Sequence, residues 1–100
     1  MNRLEISKSN LQWAVENHTN YDFPSFLLEL RLGLAISKKV MAADLGVKYM
    51  SIMYLEGGYG IIVTDNLLRR LSQYFDVPFS LLQFKRNEFY TFNRKKRRAA

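Results

Sequence analysis

Apolar residues recur along this chain at three- and four-residue spacing, the period of helices with one buried face. Phe26, Leu27, Leu30 and Leu34 predict a helix over residues 23–33. Pro24 falls in its first turn, where a missing N–H costs nothing. Ile36, Val40, Met41, Leu45, Val47, Ile52 and Leu55 are the positions a pair of short helices would bury. The pair reads as residues 37–45, a turn at Gly46 and Val47, and residues 48–55. Leu67, Leu68, Leu71 and Phe75 predict an amphipathic helix capped by Thr64, with Asp65 in its first turn to complement the dipole. Asp76-Val77-Pro78 ends it, and Leu81, Leu82, Phe84, Phe89 and Tyr90 predict one more helix, for which Ser80 is the capping candidate. The Gly-rich, β-branched stretch GYGIIV at 58–63 reads as a connection. Near the start, Leu11, Trp13, Ala14 and Val15 predict a short helix beginning after Ser7 or Ser9, and NHTNYD at 17–22 reads as a loop. The expected fold class is all-α.

Composition narrows this only slightly. A chain of 100 residues with 48% hydrophobic and 24% charged positions is one globular domain, so a disordered chain is excluded. Three parts are expected: an N-terminal extension at 1–22, a helical domain at 23–92 and a basic flexible tail at 93–100. With no cysteine there is no disulfide, thiolate metal site or Cys nucleophile. No apolar run reaches the ~18 residues of a membrane span, and the N-terminus lacks the apolar core of a signal peptide. A cytoplasmic location without membrane contact is expected.

The net charge of +6 changes the picture because of where it lies. Arg94, Lys95, Lys96, Arg97 and Arg98 supply five of those charges, so residues 1–93 are close to neutral. Charge alone therefore does not mark the domain as a nucleic-acid binder; what matters is whether its few cations share a face.

Two helices joined by a Gly-containing turn form a helix-turn-helix unit, which can seat its second helix in the major groove of DNA. The stretch LRLGLAISKKVMAADLGVKYMSIMYLEGG, followed by TDNLLRRLSQYFDVPFSLL, resembles the lambda-repressor-like, Cro-type (XRE) helix-turn-helix domain over roughly residues 23–83. The resemblance rests on Ala42 and Gly46 four residues apart, then Val47, Ile52, Leu55, Glu56 and Gly58, and on Val77-Pro78-Phe79 before Leu81-Leu82. It implies a compact five-helix domain in which Ala42 lets two helices approach closely and Gly46 takes a left-handed turn conformation. It also implies an internal ion pair between Arg31 and Glu56.

What the resemblance implies for function is a DNA-binding transcriptional regulator of bacterial or phage type, associated with the nucleoid. It would act as a repressor by operator occupancy, as a homodimer on a pseudo-palindromic double-stranded site. The positions that would face bases are Tyr49, Met50, Met53 and Tyr54, with Ser51 near the backbone. Phosphate contacts would fall to Lys38 and Lys39 at the start of the first helix, Lys48 at the start of the second, and Tyr59 in the following loop. None of the four base-facing positions carries the Arg, Lys, Asn or Gln that makes bidentate contacts to base edges. An apolar face of this kind can equally meet a protein. The alternative reading is therefore a protein-interaction module, such as an antitoxin or a regulator's partner, that keeps the fold without reading bases. An RNA-binding protein that stacks bases on its aromatic residues is a third. Two dimer surfaces are candidates: residues 79–92, where Leu82, Phe84, Phe89, Tyr90 and Phe92 exceed what one helix buries internally, and the segment around Leu11 and Trp13.

Catalysis, metal and cofactor are not expected. The single histidine, His18, has no second ligand nearby, no Ser–His–Asp pattern is present, and Gly57-Gly58-Tyr59-Gly60 lacks the Lys-Ser/Thr pair of a phosphate loop.

Overall fold

The computed structural model describes the backbone of residues 11–99 and the side chains of residues 11–91. Every regular element among them is helical. Residues 11–17 form α1, and a single 3-10 turn over His18–Asn20 follows it. Then come α2 (Phe23–Gly33), α3 (Lys38–Leu45), α4 (Tyr49–Gly57), α5 (Asp65–Phe75) and α6 (Phe79–Ala99). The expected beginning of the first helix, after Ser7 or Ser9, lies outside the described residues.

Helix starts follow capping chemistry. Asp22 accepts the N–H of Ser25 at 3.0 Å, Ser37 that of Val40 at 3.1 Å, and Thr64 that of Leu67 at 3.2 Å. Each cap satisfies one of the donors a helix N-terminus leaves open. The last helix departs from the expected pattern. It begins at Phe79, directly after Pro78, whose carbonyl accepts the N–H groups of Leu81 and Leu82. Ser80 therefore lies inside the first turn and is exposed, so it is not the cap. The helical backbone also runs past residue 92 to Ala99, since no Gly or Pro follows Pro78 and Lys, Arg and Ala are good helix formers.

The core is a single cluster. Phe23, Phe26, Leu27 and Leu30 of α2 sit at its centre, and α2 packs against both α4 and α6. Met41, Ala42 and Leu45 of α3, Ile52 and Leu55 of α4, Leu68, Leu71 and Phe75 of α5, and Leu82 of α6 close around it. At Gly58 three helices meet: a Cβ there would lie 2.8 Å from Phe89 and 2.9 Å from Pro24. With φ of 76° as well, only glycine fits at that point.

Three sequence expectations change here. Val40 was expected inside but is 46% exposed, because α3 buries the stripe Met41, Ala42 and Leu45 and Val40 lies off it. The surplus of apolar residues expected at 79–92 is largely used within the chain. Leu82 is fully buried and Phe89 and Tyr90 pack against the core, which leaves Phe84 exposed; the side chain of Phe92 lies outside the described residues. Trp13 is similarly occupied, its ring stacked 5.7 Å from that of Phe26, while Leu11 and Val15 of the same helix are exposed.

Candidate nucleic-acid interface

The candidate site is the α3–turn–α4 unit, whose geometry is held from behind. Gly46 ends α3 in the left-handed conformation, φ 66°, and its N–H reaches the Ala43 carbonyl at 3.2 Å. The next N–H, of Val47, returns to the Ala42 carbonyl at 3.0 Å. These two bonds satisfy carbonyls that α3 would otherwise leave open and turn the chain sharply into α4. Ala42 is buried at this turn, where a longer side chain would push the helices apart.

Behind the unit, Arg31 of α2 meets Glu56 of α4. Arg31 Nε donates to Glu56 Oε2 at 2.7 Å and Nη2 to Oε1 at 3.1 Å, a two-point fork. Nη1 donates to the Ile36 carbonyl at 2.9 Å, so one guanidinium ties α2, the segment leading into α3, and α4. The side chains are 9% and 5% exposed, so each charge depends on the other for compensation. A second brace comes from α5. The Tyr74 hydroxyl donates to Asp44 Oδ2 at 2.7 Å, and burial together with the Asp44 carboxylate raises the phenol well above its ordinary value. Arg70, also on α5, places its guanidinium 3.6 Å from where a Cβ on Gly46 would stand. Neither the Tyr74–Asp44 contact nor the position of Arg70 has a signal in local sequence, because the partners are separated by more than twenty residues.

On the outer side, the predicted residues fall into two groups. Lys39, Lys48, Tyr49, Met50 and Tyr59 are exposed, with Tyr49 at 42% and Met50 at 45%. Lys38, Ser51, Met53 and Tyr54 are half-buried. Lys38, Lys39 and Lys48 make no ion pair with any described residue. Ser37 uses its hydroxyl on Val40, which leaves the N–H groups of Lys38 and Lys39 at the open end of α3. Lys48 is the N-cap of α4 and gives no side-chain cap, so that helix also starts with open donors. Tyr54 and Tyr59 come together, ring centroids 5.5 Å apart. Tyr54 lies against Gly60, where a Cβ would come within 3.0 Å of its ring, and Tyr59 lies closer still over Gly57, 2.5 Å from where a Cβ would stand. Their rings are thus committed to shaping the loop after α4. The exposed apolar face consists of Tyr49 and Met50, with Val40 on the neighbouring helix.

Compared with protein-family models, curated proteins and solved structures, the chain has no match.

Two further contacts lie away from this face. Lys85 is buried, donates to the His18 carbonyl at 2.6 Å and sits 5.5 Å over the Phe26 ring. Burial lowers its pKa, with Glu88 and Asp22 acting in the opposite direction. Arg86 donates to the Val63 carbonyl at 3.1 Å and to Asp65 at 2.7 Å, which holds the Asp65 carboxyl below its usual range. Among the described residues no group of three or more His, Cys, Asp or Glu side chains could hold a metal. No described helix is long and apolar enough to cross a membrane.

Proposed function

We propose that this chain is a DNA-binding transcriptional regulator with a lambda-repressor-like helix-turn-helix domain, a non-enzyme that represses by occupying an operator as a homodimer in the cytoplasm. The observation that carries the reading is the rigid mounting of α4. A buried two-point ion pair fixes its inner side, a left-handed glycine fixes its entry, and its outer side carries Lys48, Tyr49 and Met50 with Lys39 on the adjoining helix. A helix held at a set angle by buried groups, with cations at its start, is what docking along a DNA groove requires. Exposed lysines supply the phosphate contacts, while Tyr49 and Met50 supply weak base discrimination through a hydroxyl and a thymine-methyl contact.

The test is a mobility shift of the full chain on random duplex DNA at two salt concentrations. Salt-sensitive complexes are expected, and changing Lys38 and Lys48 to Ala should weaken binding on all sequences alike. A complete absence of complexes at low salt rejects the reading. One observation favours a second function, a protein-interaction module such as an antitoxin or regulator partner: Val40, Tyr49 and Met50 are exposed, apolar or aromatic, and lack the polar forks of base readout. On that reading the Lys-to-Ala changes leave DNA retention unaltered.

A further inference from the structure

The regulator reading calls for a second copy of the chain, and the two surfaces the sequence suggests for it are largely used within the protein's own core. The most exposed large apolar side chain among the described residues lies elsewhere: Ile62, 87% exposed in the connection after α4. Beside it the connection and α6 enclose a cleft of about 340 Å³, with Ile61, Ile62 and Val63 on one side and Asn87, Tyr90 and Thr91 on the other. The protruding side chain and the recess therefore belong to one patch. The charges at its edge are already matched: Arg86 donates to Asp65 at 2.7 Å and to the Val63 carbonyl at 3.1 Å. The other exposed apolar group differs in this respect. Val40, Tyr49 and Met50 follow directly on Lys39 and Lys48, which make no ion pair with any described residue.

We propose that this patch is the contact between two copies of the chain, each inserting Ile62 into the cleft of the other. The inference rests on the homodimer of the regulator reading and names its surface. A twofold contact uses the same patch on both copies, so it needs a protrusion and a recess side by side, and Ile62 and the cleft meet that condition. Size agrees, since the cleft has the dimensions of a small-ligand pocket and admits an isoleucine side chain. Charge selects the occupant. A chain of net charge +6 repels its own copy, so two copies approach best where neither presents an unpaired charge. An acidic protein or a nucleic acid would instead be drawn to the lysines of the α3–turn–α4 face and leave this patch bare. The connection begins where α4 ends, so a contact here would also set the distance between the two α4 helices of a dimer.

The experiment is sedimentation equilibrium of the full chain across the micromolar range, without DNA. A monomer–dimer equilibrium is expected. Ile62→Asp should weaken it by at least about a hundredfold, because each dimer would bury the added charge twice. Ile62→Ala should weaken it in the same direction by a smaller factor. Helix content by circular dichroism should match the parent in both variants, since the side chain stands in solvent in the single chain. Phe84→Asp, at an exposed position of α6 outside the cleft, should leave the equilibrium unchanged. A parent chain that stays monomeric overturns the proposal, as does a dimer that the Ile62 changes leave intact or that Phe84→Asp breaks. A mobility shift run alongside separates this inference from the reading beneath it. Salt-sensitive DNA complexes from a monomeric chain reject the contact and keep DNA binding. A dimer broken by Ile62→Asp that forms no DNA complexes keeps the contact and rejects the regulator.

Discussion

The two sides of α4 obey different rules. Its inner side is specified almost atom by atom: Ile52 and Leu55 are buried, and Glu56 meets a guanidinium at two points. Its outer side carries Tyr49, Met50 and, partly covered, Met53 and Tyr54, whose side chains make no hydrogen bond or ion pair with any described residue. The inner side determines where the helix stands; the outer side determines what it can touch. Scaffold and recognition are therefore separable in this chain, and mutations should divide cleanly between them.

The largest expected effect tests the inner side. Arg31→Met leaves the Glu56 carboxylate buried without its partner and should cost about 3–5 kcal/mol of stability in urea denaturation. Adding Glu56→Met removes the orphaned charge and should restore most of that loss; failure to restore it would show that the three-way tie through Ile36, and not the charge balance, holds α4. Gly46→Ala should cost about 1–2 kcal/mol, the penalty for a side chain in the left-handed region, because the added Cβ would meet only the flexible end of Arg70 at ordinary contact distance. Lys85→Met probes a buried charge far from α4. Its folded pKa lies below the ordinary lysine value of 10.5, so charge burial opposes folding at low and neutral pH and the penalty is relieved as pH rises through the folded pKa toward the unfolded one. The stability gap between the two chains, followed by denaturation at increasing alkaline pH, should thus shift in favour of the parent. The smallest effect belongs to the outer side: Tyr49→Ala should change stability by no more than about 0.5 kcal/mol while altering the binding-site profile selected from a random DNA pool. An unchanged profile would remove Tyr49 from base recognition.

Much of the scaffold was legible because its signals are local. Periodic leucines and phenylalanines, Thr64 and Pro78 mark helices through contacts within one or two turns. The turn at Gly46 is a local signal too, since only its own backbone conformation demands glycine. Arg31 and Glu56 could be paired only through the family resemblance, being 25 residues apart. What escaped was long-range. Lys85 looks like a surface lysine until the turn at His18–Asn20 meets it, and Phe89 and Tyr90 look like a free interface until Gly58 and the 61–63 connection fold beside them. Val40 escaped for a subtler reason: in a two-turn helix the buried stripe can shift by one residue without breaking the spacing. The outer face is the least legible part, since an exposed Tyr or Met has no partner in the chain to explain it.

The bond from Lys85 to the His18 carbonyl joins residues 67 positions apart. Closing so long a loop cannot precede the local packing of α2 to α5, because its entropy must be offset by contacts that exist only once α6 has docked. The α1 segment is therefore expected to be the last piece to settle and the first to lift, exchanging its amide hydrogens well before the central helices do. When it lifts, the Trp13 ring leaves that of Phe26 and the Lys85 bond opens with it, so residues 11–20 form a hinged cover latched by one ring stack and one ammonium group.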